Sequence, residues 1–295
     1  MRILPERNKC IRKCYGSRVV VYREYDTVNI EMPKSITGAI SVLLACTLPA
    51  GSQLVQLRHW SGQGVAPVYE GFDTNTDGSF NMWFGYMNRN YEEALDIPIG
   101  PANKFEPGAD RAQPTHFLIR RQKDVFKVTV PKDFGDKNLV WTLTAHGQTQ
   151  QVTASLKPVW MIDHQRTTRG GNIDTIDSNT PPVVKVQMPE QTIAFDTPAI
   201  LRVAATDDGL PLRRGKPVGM TIAWGKYRGP GKVTFEPAET AVVNGSAEAR
   251  ATFSEPGEYI LQAVVDDGSG ELAGNFGYHC CWTNAQVKII VRGTK

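Results

Sequence analysis

Residues 251–291 constrain this chain more than any other stretch. Phe253, Tyr259, Leu261, Ala263 and Val265 fall on odd positions, with Glu258, Gln262 and Asp266 among the even ones. The segment after Pro256-Gly257 therefore alternates with the period of two that a half-buried strand requires. A Gly-rich excursion follows, and then a second apolar run through Val287, Ile289 and Val291. Two strands joined through a turn leave their apolar face uncovered, and a second sheet is the economical cover. The expected fold is all-β: two antiparallel β-sandwich domains joined by a polar linker.

At 295 residues the chain has room for two domains of ordinary size. Its net charge of +3 is concentrated at the front, where residues 1–31 carry seven Lys/Arg against four acids. Beyond Lys34 there are 25 basic and 26 acidic side chains, so the folded part is near neutral and no nucleic-acid partner is expected.

Residues 32–52 read as a secretory signal peptide. Met32-Pro33-Lys34 gives a positive start, about a dozen apolar residues follow, and Ala50-Gly51-Ser52 is a small-residue exit before Gln53. The apolar run is short of the roughly 20 residues a membrane span needs. Leu43-Leu44-Ala45-Cys46 offers a second outcome, a lipoprotein box that would leave a lipid anchor on Cys46. Residues 1–31 are then an upstream mistranslation or a tail. Either way the chain is expected outside the cytosol, periplasmic or extracellular, on or near a cell surface.

A first domain is expected over 53–162, with strands at 53–60, 65–72, 79–88, 124–130, 139–144 and 149–156. Asp73-Thr74-Asn75-Thr76-Asp77-Gly78 is a turn between apolar runs. It also matches the front of a calcium loop, but Phe84 stands where the bidentate Glu belongs. The Pro- and Gly-rich residues 92–113 are expected to run over the surface as a long ordered loop. Trp83 faces away from the Phe80, Phe84 and Tyr86 side, and with Tyr91 and the basic pair Arg120 and Arg121 it is the candidate ligand-binding set. His59-Trp60, Tyr69-Glu70-Gly71, residues 84–90, Asp96-Ile97-Pro98-Ile99-Gly100 and residues 113–117 together resemble uncharacterised exported bacterial proteins. That resemblance implies no activity.

Residues 163–182 lose all apolar period and end in Pro181-Pro182, as an interdomain linker does. Seven or eight short strands then follow over 183–295. Pro189-Glu190-Gln191-Thr192-Ile193, Ala204-Ala205-Thr206-Asp207-Asp208-Gly209, residues 231–235 and residues 251–259 resemble the PKD-like and related Ig-like modules of bacterial surface proteins. The resemblance implies an Ig-like fold in an extracellular spacer or adhesion setting and no catalysis, with Trp224 in the core and Tyr259 as a corner tyrosine.

Asp207, Asp208, Asp266 and Asp267 fall at strand ends and would gather a calcium ion if those ends share a pole; as turn residues they need no ion. Cys280 and Cys281 are adjacent, and a vicinal disulfide, an intermolecular bridge and a free thiol all stay open. No nucleophile elbow, zinc-protease pair, phosphate loop or dinucleotide fingerprint occurs. The leading expectation is a non-catalytic exported module, structural or binding a cell-surface polysaccharide or protein. Its rival is a secreted polysaccharide hydrolase whose site lies in residues 92–117, with Glu92, Glu93, Asp96, Glu106 and Asp110 as acids and His116 nearby.

Overall fold

The computed structural model describes residues 11–15, 18–22, 58–162, 179–210, 212–213, 216–268 and 281–293, with backbone alone at 11–15, 18–22, 212–213 and 216–217. The expected signal peptide, Cys46, linker residues 163–178 and Cys280 lie outside the described residues. The chain divides into two compact units, Met1–Val55 and Gln56–Lys295. In the first, Ile11–Tyr15 and Arg18–Tyr22 pair as an antiparallel hairpin.

The second unit is all-β among its described residues apart from one 3-10 turn at Pro158–Trp160, and it carries two hydrophobic cores. Around the first core, the antiparallel sheet of Val65–Thr74, Phe80–Asn88 and Arg120–Val130 faces a second one of Gln148–Ala154, Leu139–Ala145 and Asn103–Glu106. Met82, Phe84 and Tyr86 point inward from one strand, as alternation requires; the Phe84 ring meets those of Phe105, Phe126 and Trp141, and the Tyr86 ring that of Phe117.

Around the second core, a four-stranded sheet of Val183–Val186, Ala199–Thr206, Ser246–Phe253 and Val233–Glu236 covers a five-stranded one. That larger sheet runs Glu190–Ala194, Trp282–Arg292, Gly257–Asp266, Thr221–Arg228 and Glu239–Ala241. Tyr259, Leu261, Ala263 and Val265 are all buried, on the alternation read from the sequence. The edge strand Glu190–Ala194 pairs parallel to Trp282–Arg292, a departure from the all-antiparallel expectation. The Tyr259 hydroxyl donates to Glu255 O at 2.7 Å and accepts from Gly231 N at 3.2 Å, which closes the corner. Gly229 is needed beside it, since a Cβ there would sit 2.2 Å from the Tyr259 ring.

Two expectations for the first sandwich fail. Residues 58–60, the described part of the strand expected over 53–60, are not a strand; the His59 and Trp60 carbonyls instead accept bonds from Tyr91 N and Glu92 N. Residues 92–113 are more than a surface loop, because Asn103–Glu106 joins the second sheet. Asn103, fully buried, is the reason: its amide donates to Ile97 O and Pro114 O, and its oxygen accepts from the Trp141 indole. Gln113 repeats the device, donating to Ala109 O and accepting from Arg111 N. Two buried amides thus satisfy the backbone of a segment that has few ladder bonds of its own.

Candidate binding site

The two cores meet where two strands bulge. Gly85 stands alone opposite the residues between Gln122 and Phe126, because the register with Arg120–Val130 shifts there. A Cβ on Gly85 would lie 2.3 Å from Gln122 O and from Glu70 Oε1, so only glycine allows this approach. Asp124, at φ 45°, turns the extra residues outward, and its carbonyl and that of Val125 face the second sandwich. Across the joint, the register of Thr221–Arg228 shifts between Lys226 and Arg228, leaving Tyr227 as the extra residue.

That bulge re-aims Tyr227 so that it packs with the first core although its strand belongs to the second. The Tyr227 hydroxyl donates to Ala112 O, and Tyr227 O accepts from Thr115 N at 3.0 Å. Burial drives the Tyr227 phenol far above its ordinary pKa. Burying one aromatic side chain stabilises by about 1.5–3 kcal/mol, so this single residue ties the two sandwiches with the weight of a core contact.

Charges flank it on both sides. Arg228 bonds both carboxylate oxygens of Asp110 at 3.1 and 2.8 Å and also donates to Gln113 O. These Arg228 bonds are the main reason the Asp110 carboxyl lies below its ordinary pKa. Lys226, buried, holds Asp96 at 2.9 Å and donates to Gly231 O. Desolvation alone would raise the Asp96 carboxyl, but bonds from His116, at 2.8 Å, and Lys226 outweigh it and set it below its usual value.

Between these braces lies a cavity of about 430 Å³. Leu118, Arg121 and Val125 line it from the first sandwich; Trp224, Gln262, Trp282 and Asn284 line it from the second. Asn284 donates to Asp124 O at 2.7 Å and Gln262 to Val125 O at 3.2 Å. Those carbonyls can only accept, which fixes both amides with their nitrogens toward the bulge. Gln262 Oε1, Asn284 Oδ1 and Trp224 Nε1 are buried without a hydrogen-bond partner. A cavity of about 440 Å³ on the Trp83 side of the joint shares Val125, Tyr227, Trp282 and Asn284.

The chain's counterparts among solved structures are distant. S-layer protein SbsC domains 4 and 5 match with a TM-score of 0.24 at 10% identity, over 53% of this chain and 65% of that one. Fibronectin(III)-like modules of Clostridium thermocellum CbhA match at 0.23 and 11%, over 77% and 94%. The D00-D0 domain of Intimin matches at 0.24 and 7%, over 77% and 99%. Similarity of this size bears on no activity. No family model matches the chain, and no curated protein does.

The four residues singled out for ligand binding do not form one site. Arg121 lines the cavity, bound bidentately to Glu70 at 2.7 Å. Trp83 lies on the other side of the joint, its indole donating to Asp73 and Lys127 above its ring at 5.2 Å. Tyr91 and Arg120 stack at 3.9 Å with Arg58 nearby, apart from either cavity. The Asp73–Gly78 turn is closed by protein groups: Asp73 accepts from Asn81 and Trp83, and Asp77 from Ser79. No group of three or more His, Cys, Asp or Glu among the described residues is arranged to hold a metal ion. Asp208 accepts from Thr180, Asp266 from Gly268 N, and Asp267 from Asn179. Desolvation, with the charges of Asp267 and Asp208 adding to it, holds Asp207 above its ordinary pKa, and desolvation does the same to Asp266. Cys281 is buried and disulfide-bonded.

Sequence reasoning missed Lys226, Tyr227 and Arg228. The available signal was Lys-Tyr-Arg set between Gly225 and Gly229, three large side chains closing a strand whose alternation stops there. No helix among the described residues is long and apolar enough to cross a membrane.

Proposed function

We propose that this chain is an exported, non-catalytic β module that holds two sandwiches in one fixed arrangement and presents the cavity between them for binding. What carries the reading is the use made of the acids in residues 92–117. Asp96 and Asp110, candidate carboxylates of a hydrolase, are spent on Lys226 and Arg228 across the joint. Glu106 pairs with Lys104, and Glu93 accepts from Gly62 N and contacts His146. A glycosidase needs one carboxylic acid with a raised pKa to protonate the leaving oxygen. Asp96 and Asp110 are shifted the other way. The segment acts as a brace, and its export follows from the leader-like residues 32–52.

The test is a panel of insoluble and soluble polysaccharides incubated with the purified chain, together with denaturant unfolding. Binding or indifference without release of reducing ends, and one unfolding transition for both cores, are the expected results. Release of reducing ends that Glu106→Gln abolishes would make the chain a hydrolase and end this reading.

A further inference from the structure

We propose that the strand Gln148–Ala154 pairs with the same strand of a second copy, antiparallel about a two-fold axis at Gln151, so that two chains share one continuous sheet. Among the described strands it pairs with Leu139–Ala145 alone and is therefore an edge. The turn before it, His146-Gly147, has both residues at positive φ, 48° and 72°, and Ala145 and Gln148 are opposed across it. In such a two-residue hairpin the pair flanking the turn is hydrogen-bonded, so Gln148, Gln150 and Val152 aim their backbone groups at Leu139–Ala145. Thr149, Gln151 and Thr153 aim theirs at the open side. A separate bond agrees with this phase: Thr144, opposite Thr149, donates its N–H away from the hairpin, to Ala102 O at 2.8 Å. Thr149, Gln151 and Thr153 are exposed, and among the described residues no loop or turn carbonyl reaches their N–H groups.

The sequence of the strand selects its own copy as the occupant. Thr149-Gln150-Gln151-Val152-Thr153 places a threonine two residues to either side of Gln151. Two-fold pairing sets Gln151 against Gln151 of the partner subunit, and each Thr149 against a Thr153. Threonine pairs across strands favour association, and each of the three opposed pairs exchanges two backbone bonds. A strand from another chain gains the backbone bonds; a second copy also matches the threonines by symmetry. Charge points the same way. An edge strand is ordinarily guarded by a charged residue or a proline, which makes a second strand unwelcome. Each of the seven other edge strands in the four sheets around the two cores carries a charge, from Glu70 in Val65–Thr74 to Glu239 in Glu239–Ala241. Gln148–Ala154 carries neither a charge nor a proline, so two copies meet there without repulsion.

Sedimentation equilibrium of the purified full chain from about 5 μM to about 1 mM reads the association, and a monomer–dimer equilibrium with a Kd of about 0.1 mM is expected, the weak end that suits one strand edge. Gln151→Lys sets two like charges on the axis from an exposed position and should weaken dimerisation about tenfold. Gln151→Pro removes an N–H that faces the open side and no ladder bond within the chain, and should weaken it at least as much. Cross-linking under mild oxidation reads the register. Gln151→Cys opposes two thiols across the axis, whereas Thr153→Cys keeps them at least about 13 Å apart along the strands, beyond disulfide reach. Mass mapping should find a peptide linked through position 151 in the first variant and none linked through position 153 in the second, apart from any links made by the native cysteines. A monomer throughout the range, an association that both Gln151→Lys and Gln151→Pro leave intact, or a link through position 153 as abundant as that through 151 overturns the pairing. None of those results bears on the two-core module, whose own tests are polysaccharide turnover and a single unfolding transition.

Discussion

The two cores are built from opposite materials. The first is a cluster of interlocked aromatic rings: Phe84 touches Phe105, Phe126 and Trp141, with centroids 5.2–6.0 Å apart, and Phe105 stacks flat on Trp141 at 5.6 Å. The second is lined by Ala199, Ala205, Ala247, Ala249, Ala251 and Ala263 among Val, Leu and Ile, with Tyr259 as its largest fully buried side chain. Six strands offer few inward positions, and large rings occupy them; nine strands offer many, and alanine occupies six. The first core should therefore be most sensitive to removal of volume and the second to its addition.

Trp141→Ala attacks the first core at its hub and should have the largest effect. It deletes a fully buried ring in contact with Phe84, Phe105, Phe117 and Phe126 and leaves the Asn103 oxygen without its donor. A loss of about 3–5 kcal/mol is expected by urea unfolding. A loss below about 1 kcal/mol would mean that this core can collapse and that the contrast is wrong. Ala251→Leu tests the other side, since Ala251 is fully buried between paired strands. Overpacking should destabilise by about 1–3 kcal/mol, and a neutral result would show slack where none is expected.

Tyr227→Phe addresses the joint and is smaller. It keeps the ring in the first core and removes the bond to Ala112 O, so about 1 kcal/mol should be lost. Its more informative readout is cooperativity. If the two cores unfold together in the parent and separately in the variant, the hydroxyl is part of what couples them. Two transitions already in the parent would show that the joint never coupled the aromatic core to the alanine one.

How legible each part was follows from the same contrast. Alternation carried the second core, because Tyr259, Leu261, Ala263 and Val265 lie on an uninterrupted strand, and it carried the inward face of Met82, Phe84 and Tyr86. It failed wherever a bulge resets the count. Tyr227 and the segment around Asp124 sit at such resets, where a period of two predicts the wrong face, so the joint and its cavity were invisible to pattern reading. Asn103 was hidden for another reason. A polar residue among Pro, Gly and Asn reads as loop, and its burial depends on Ile97, Pro114 and Trp141, two of them separated from it in sequence by 11 and 38 residues.

The smallest effect is expected at the pole of the alanine-rich sandwich, and there its sign is the point. Asp207 has a folded-state pKa above its unfolded value, from desolvation first and then the charges of Asp267 and Asp208. The native state thus holds that proton to higher pH than the unfolded chain, and stability falls as pH rises from the unfolded value, about 3.9, through the folded one. Asp96 and Asp110 at the joint run oppositely: held below their ordinary values, they contribute stability that is lost as pH falls through their folded pKa. Asp207→Asn removes the penalty and retains an oxygen to accept from Gly209 N. At pH 7 it should raise Tm by about 1–3 °C, and the difference from the parent should vanish near pH 3, where both side chains are neutral. Adding about 1 mM calcium should leave the parent's Tm in place. If calcium instead raises it and Asp207→Asn abolishes the rise, the carboxylates of this pole are ion ligands, and the repulsion between them serves the ion and not the turn.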